Sequence, residues 1–70
     1  MADIKAHITG TVWKIEVQVG QRIGAGDTVV ILESMKMEMP VEAEDPGVVK
    51  VFLVEEGRSV SEGDALVVLE

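Results

Sequence analysis

A lysine with a methionine on each side lies near the midpoint of the 70-residue chain, in the run Glu33-Ser34-Met35-Lys36-Met37-Glu38. Lys36 is the only basic residue between Arg22 and Lys50. A lysine amine acts as a nucleophile in its neutral form, which burial or a neighbouring positive charge favours. The neighbours here are carboxylates, which favour the protonated amine. The pattern therefore favours a lysine that another enzyme modifies over a lysine that catalyses.

The two flanking methionines suggest a surface that other proteins recognise. Thioether side chains are flexible and polarizable, and they recur where a surface must fit a partner. If the backbone is extended, Met35 and Met37 share one face and Lys36 takes the other. Alternatively, Met35, Met37 and Met39 form the apolar face of a strand that packs into the core. We favour the core for Met39, and the spacing leaves both interpretations open for the other two.

The amino-acid composition argues against several classes of function. With no cysteine and one histidine, the chain has no disulfide, thiolate zinc site or cysteine nucleophile. Scattered acids offer no paired nucleophile and base, which makes an autonomous enzyme the weakest class. The net charge of −7 repels phosphate backbones and anionic lipids, so nucleic acid and membrane are not expected partners. Neither a secretory signal nor a long apolar stretch is evident, and we expect a cytoplasmic protein.

An internal repeat organises the chain around the lysine. Residues 10–33 align with residues 47–70 at an offset of 37 without a gap, and nine of the 24 positions are identical. The identical pairs include three glycines and a Gly-Asp pair, which chance similarity between two valine-rich segments does not explain. We interpret residues 1–70 as one domain made of two duplicated halves.

Each half has the plan of a β unit. A glycine opens an apolar strand (Thr11 to Val19, or Val48 to Val54), a second glycine turns the chain, and a Gly-Asp turn leads into a strand that ends in Leu-Glu. Turns this frequent leave no room for helices, so the sequence predicts an all-β protein. Two such halves, each of about four short strands, form two sheets related by a pseudo-twofold axis around a shared apolar interior.

Two local features refine this plan. Val12 is out of phase with Ile15 and Val17, so we expect a bulge near Trp13, with the indole outward or at the rim. The link from Ser34 to Pro46 is predicted to contain a hairpin with Lys36 near its tip, and residues 37–43 form the return strand.

The run around Lys36 resembles the biotin attachment motif of biotinyl domains, in which a lysine between two methionines receives biotin through an amide bond. The opening glycine strands, the Gly-Asp turns at residues 26–27 and 63–64, and the 34 residues that follow Lys36 also agree with the biotinyl/lipoyl fold. The resemblance implies a flattened β-barrel, or barrel-sandwich hybrid, of two four-stranded antiparallel sheets with the attachment lysine on a β-hairpin. It implies covalent biotin on Lys36 as the cofactor.

The same resemblance implies the role of a biotin carboxyl carrier that catalyses nothing itself. A biotin protein ligase would attach biotin, a biotin carboxylase would carboxylate it, and a carboxyltransferase would pass the carboxyl group to an acyl-CoA or a keto acid. Met35 and Met37 would be recognised by the ligase, and Glu33 is a candidate ligase contact.

The sequence departs from the family in three places. His7-Ile8-Thr9-Gly10 replaces a Pro-Met-Pro-Gly type sequence, Ser34 stands where many members have alanine, and the insertion that forms a protruding thumb in some carriers is absent. A lipoyl carrier is the nearest alternative, but such domains usually have Asp before the lysine and Ala or Ser after it. An unmodified interaction module of a transporter adaptor is another alternative. Met1 and the clean boundaries favour a free-standing carrier over both an adaptor piece and an excised carboxylase domain.

Overall fold

The chain folds into eight short β-strands. The computed structural model describes residues 2–70, and within that range all regular structure is β. The all-β prediction is therefore confirmed, and this range contains no helix long and apolar enough to cross a membrane. The strands are β1 (Ala2–Lys5), β2 (Gly10–Ile15), β3 (Arg22–Ile23), β4 (Thr28–Ser34), β5 (Met37–Glu42), β6 (Gly47–Phe52), β7 (Ser59–Val60) and β8 (Ala65–Leu69).

The strands form two four-stranded antiparallel sheets, as predicted for a flattened barrel. One sheet has the order β5-β4-β2-β7 and contains the hairpin that carries Lys36, and the other has the order β1-β8-β6-β3. The sheets approach each other where β1 contacts β5. The resulting body measures 31 × 19 × 18 Å.

A purely aliphatic core lies between the sheets. Its most deeply buried members include Val12, Val30 and Leu32 from one sheet and Val49 and Val67 from the other. No polar or charged residue is buried in the described part of the chain. Each buried Val or Leu side chain contributes about 1.5–3 kcal/mol relative to an exposed one. This core holds the two sheets as one platform.

A β-bulge at Trp13 is confirmed. Val12 pairs with Leu32 and Lys14 pairs with Ile31, so Trp13 has no partner in the ladder. The indole is 46% exposed, which agrees with the outward position predicted for it. The same irregularity recurs at Lys50 in β6, between Val49 and Val51.

The strand registers repeat at an offset of 37 residues. Val12 opposite Leu32 corresponds to Val49 opposite Leu69, and the pairing of β2 with β7 corresponds to the pairing of β6 with β3. The two sheets are thus built alike, strand for strand. That the halves arose by duplication stays a prediction from the sequence.

The two predicted Gly-Asp turns, at residues 26–27 and 63–64, are present. Gly26 and Gly63 have φ angles of 89° and 92°, a conformation that glycine adopts without steric cost. In each turn the following aspartate accepts a hydrogen bond from a backbone amide, at 2.8 Å from Gly24 N and at 2.9 Å from Ser61 N. These turns direct β4 and β8 into their sheets.

Three strands have bounds that differ from the prediction. The strand predicted for residues 11–19 is β2, which ends at Ile15 instead of Val19. The Ile15 amide donates to the Glu56 carboxylate, and a turn between Gln18 and Gln21 follows. Val19 consequently lies outside the sheet and is 60% exposed. The predicted second strand, residues 48–54, spans residues 47–52, and the return strand ends at residue 42 instead of 43.

Candidate functional site

Lys36 lies in a two-residue turn between β4 and β5. Ser34 and Met37 form the last pair of the hairpin ladder, which leaves Met35 and Lys36 as the two central residues. Their φ angles are 54° and 64°. A two-residue loop with positive φ at both central positions is a type I′ turn, whose twist matches that of the flanking strands. The predicted hairpin with Lys36 near its tip is thus present.

The turn places two unsuitable residues in the left-handed conformation. Type I′ turns strongly favour Asn-Gly, because a Cβ atom makes positive φ unfavourable by roughly 1–2 kcal/mol per residue. Strain of this kind clusters at functional sites, where the surrounding structure maintains it. The condition under which Met35 and Met37 would share one face, an extended backbone, is not met, because the pairing of Ser34 with Met37 closes the chain into a turn.

The three methionines of this region have different environments. Met35 is 91% exposed and Met37 is 60% exposed, whereas Met39 is half-buried opposite the fully buried Leu32. The core explanation therefore fits Met39 and fails for Met35 and Met37. Two large apolar side chains lie in solvent next to an exposed lysine.

A pair of carboxylates lies at the base of the turn. Glu33 on β4 and Glu38 on β5 are directly opposite each other, and both are exposed. Residues opposite each other in a sheet have Cβ atoms about 4.5–5.5 Å apart, and like charges there are destabilising. The pair makes the base of the turn negative.

Gly10 supports the hairpin from the neighbouring strand, a role that sequence reasoning did not assign to it. A Cβ atom at this position would lie 2.5 Å from the carbonyl oxygen of Glu33 and 3.4 Å from the Cβ of Ser34. The absence of a side chain therefore lets β2 approach the end of β4 closely. The alignment of Gly10 with Gly47 was the available signal, since a Cβ atom at Gly47 would also lie close to a carbonyl oxygen, at 3.1 Å from that of Glu70.

The return strand of the hairpin is an edge strand that resists further pairing. β5 is the outermost strand of its sheet, and Pro40, opposite Ile31, has no N–H to donate. Charged residues at positions 38 and 42 also face solvent on this strand. Proline and charge both oppose the addition of a strand from another protein. Partners are therefore expected to contact the turn of the hairpin and not the edge of β5.

Lys36 lines neither of two grooves found at the surface of the described chain. A groove of about 580 Å³ is lined by Glu38 and Pro40 of the hairpin but not by Lys36. Among the described residues, no group of His, Asp or Glu is arranged to hold a metal ion. A group attached to Lys36 would extend away from this chain and be free to enter the site of another protein. The geometry fits a covalent carrier.

Comparisons with known proteins give consistent matches over nearly the whole chain. A family model described as "Biotin-requiring enzyme" (Biotin_lipoyl) matches residues 1–69. The chain is 44% identical over 66 residues to a biotin/lipoyl attachment protein of Bacillus subtilis, covering 94% of this chain and 90% of the relative. It is 42% identical over 67 residues to the biotinylated protein TB7.3 homolog of Mycobacterium leprae, covering 96% and 94%.

Larger proteins contain a similar unit. A biotin-dependent acyl-coenzyme A carboxylase alpha3 subunit of Mycobacterium leprae is 43% identical over 63 residues, which cover 90% of this chain and 10% of the subunit. In the crystal structure of the Kluyveromyces lactis urea carboxylase, a match with a TM-score of 0.92 and 38% identity covers 99% of this chain and 6% of that one. The fold and its size are therefore those of a module that occurs both alone and within carboxylases.

Proposed function

The chain belongs to the biotin/lipoyl attachment family, and from that membership we propose that Lys36 is the residue to which biotin is covalently attached. Biotin is the cofactor that the family model specifies. One observation carries the assignment of the residue: Lys36 lies exposed in a strained two-residue turn, between two exposed methionines. The other lysines, at positions 5, 14 and 50, lie within strands of the sheets.

A biotin protein ligase performs the attachment in this proposal. The Nζ atom of Lys36 attacks the acyl carbon of biotinyl-adenylate, an amide C–N bond forms, the C–O bond to the phosphate breaks and AMP leaves. The proton lost from the amine passes to a base on the ligase. Lys36 is the substrate of this reaction, and the ligase supplies the activation.

In this proposal, the biotinylated protein then acts as a carboxyl carrier. Lys36 would hold biotin, which when bound would supply a ring nitrogen able to carry a carboxyl group from a biotin carboxylase to a carboxyltransferase. This chain positions the lysine: the core fixes β4 and β5, and the turn between them exposes Lys36 at the end of the hairpin. The matches to a biotin-dependent acyl-coenzyme A carboxylase subunit and a urea carboxylase support partners of these two kinds. The acceptor that we propose is an acyl-CoA or a keto acid.

Selection between biotin and lipoate depends on the residues beside the lysine. Lipoyl domains belong to the same family and present a lysine in the same way. Met35 and Met37 differ from the flanking residues that are usual in lipoyl domains, and their exposure makes them available to a ligase. We assign them, with Glu33, to recognition by the biotin protein ligase.

The experiment is a competition between two modifying systems. The unmodified chain is incubated with biotin, ATP and a biotin protein ligase, and in parallel with lipoate, ATP and a lipoate ligase, and its intact mass is followed over time. We expect one biotinyl group per chain and little lipoylation. Preferential lipoylation, or no change of mass in either reaction, would overturn the proposal. A double variant, Met35→Asp with Met37→Ala, should shift modification from biotin toward lipoate.

A further inference from the structure

The methionines at positions 35, 37 and 39 form a graded series within five residues. Their exposure falls from 91% at Met35 to 60% at Met37, and Met39 is half-buried. Met39 lies opposite Leu32, whose side chain is fully buried, so packing protects one face of it. The same thioether chemistry is thus presented to solvent to three different extents beside Lys36.

Exposed thioethers react with peroxides. The sulfur attacks one peroxide oxygen, the O–O bond breaks, and the products from hydrogen peroxide are the sulfoxide and water. Sulfur is oxidised, peroxide is reduced, and no further reagent is required. The product is polar and chiral where the thioether was apolar, and methionine sulfoxide reductases reverse the reaction.

We propose that Met35 and Met37 form an oxidation site for peroxides, and that their sulfoxides slow the attachment of biotin to Lys36. The second part rests on the proposed function. Met35 and Met37 are the only apolar side chains in residues 33–38. All apolar contact between a ligase and this run therefore comes from these two thioethers, and oxidation removes it.

Oxidation at these two positions leaves the fold intact. Neither side chain belongs to the core, whose nearest members on the hairpin are Leu32 and Val41. The ladder between β4 and β5 consists of backbone hydrogen bonds, which a change at the sulfur does not break. A sulfoxide at Met39, in contrast, would lie against the packed interior. A slower biotinylation of Lys36 without a loss of thermal stability is therefore the effect expected from oxidation of Met35 and Met37.

The sequence permits a site-resolved measurement. Trypsin cleavage of the unmodified chain after Arg22, Lys36 and Lys50 places Met35 in one peptide and the other two methionines in the next, where fragment ions distinguish them. After graded hydrogen peroxide treatment and quenching, one measures the sulfoxide at each position, the initial rate of biotinylation and the melting temperature. We expect Met35 and Met37 to oxidise before Met39.

The expected loss in kcat/KM of the ligase reaction is about tenfold, the factor that corresponds to burying one poorly paired polar group. Treatment with sulfoxide reductases for both epimers should restore the rate. Each variant is compared with its own untreated sample. The labelling rate of Met35→Leu with Met37→Leu should no longer respond to peroxide, whereas that of the matched control, Met39→Leu, should still fall.

Two results would overturn this inference. One is an unchanged labelling rate when Met35 and Met37 are oxidised, and the other is preferential oxidation of Met39. A chain that is not biotinylated on Lys36 even before peroxide treatment would remove the proposed function and this inference together. Normal labelling of both the reduced and the oxidised chain would remove the inference alone.

Discussion

Glu33 and Glu38 lie directly opposite each other across the β4–β5 ladder, three residues before and two residues after Lys36. Both carboxylates are exposed. A like-charge pair at opposed positions opposes folding of the hairpin, and the next residues along the chain form a turn that places Met35 and Lys36 at positive φ. The tip of the hairpin thus combines two unfavourable features, while the interior is uniformly aliphatic.

Glu38→Gln should stabilise the protein. Removal of one of the two opposed charges relieves a repulsion of about 0.2–1 kcal/mol, which for a domain of this size corresponds to a rise in melting temperature of a few degrees, at about 4–8 °C per kcal/mol. Thermal unfolding at low and high salt measures the gain, which should shrink in high salt because exposed charges are screened. Glu42→Gln on the same strand is the control, since it lies opposite Thr28. An equal gain in both variants would contradict the pairwise explanation.

A turn of the preferred composition should also stabilise the protein. Met35→Asn with Lys36→Gly places residues that favour positive φ at both central positions, with an expected gain of about 1 kcal/mol in the free energy of unfolding. Urea unfolding measures the gain. Lys14→Gly, in a strand where φ is not positive, should instead lose about 0.5–1 kcal/mol, the usual effect of glycine within a strand. A double variant as unstable as Lys14→Gly would show that the turn carries no strain.

Gly10→Ala should disturb the hairpin. The added methyl group meets the Glu33 carbonyl oxygen at 2.5 Å, so β2 or β4 must move, at an expected cost of about 1–3 kcal/mol. Unfolding measurements give the cost, and amide exchange of residues 33–38 reports the loosening. Gly24→Ala is the control, because its Cβ would meet only the Asp27 carboxylate, at 3.7 Å. Similar losses in both variants would argue against a close approach at Gly10.

Lys36→Arg should leave stability unchanged, since the side chain is exposed and packs on nothing in the core. Leu32→Ala, four residues earlier on β4 and fully buried, should lose about 2–5 kcal/mol. Chemical denaturation of the two variants compares them. A large loss in Lys36→Arg would identify the lysine as structural.

Much of the architecture was predictable from particular residues. The glycines aligned at an offset of 37 excluded long helices and indicated two similar halves, and the phase of Val12 against Ile15 located the bulge at Trp13. These signals are local, or they depend on glycine, whose backbone requirements are specific. They also placed Lys36 on a hairpin between the halves.

Other features depend on contacts between distant residues or contradict local preference. β2 ends at Ile15, whose amide donates a hydrogen bond to Glu56, 41 residues away, a contact that no local pattern encodes. The conformation of Met35 and Lys36 is set by the register of β4 against β5, and both residue types disfavour it. The role of Gly10 also becomes visible only when two strands are placed side by side.

The most direct test of the account is site mapping of the biotinylated chain with trypsin. Acylation removes the charge of Lys36 that trypsin requires, so we predict that residues 23–50 remain as one peptide carrying one biotinyl group, while Lys36→Arg takes up none. Complete cleavage after Lys36, or biotin on Lys5, Lys14 or Lys50, would contradict the assignment of Lys36 as the carrier residue.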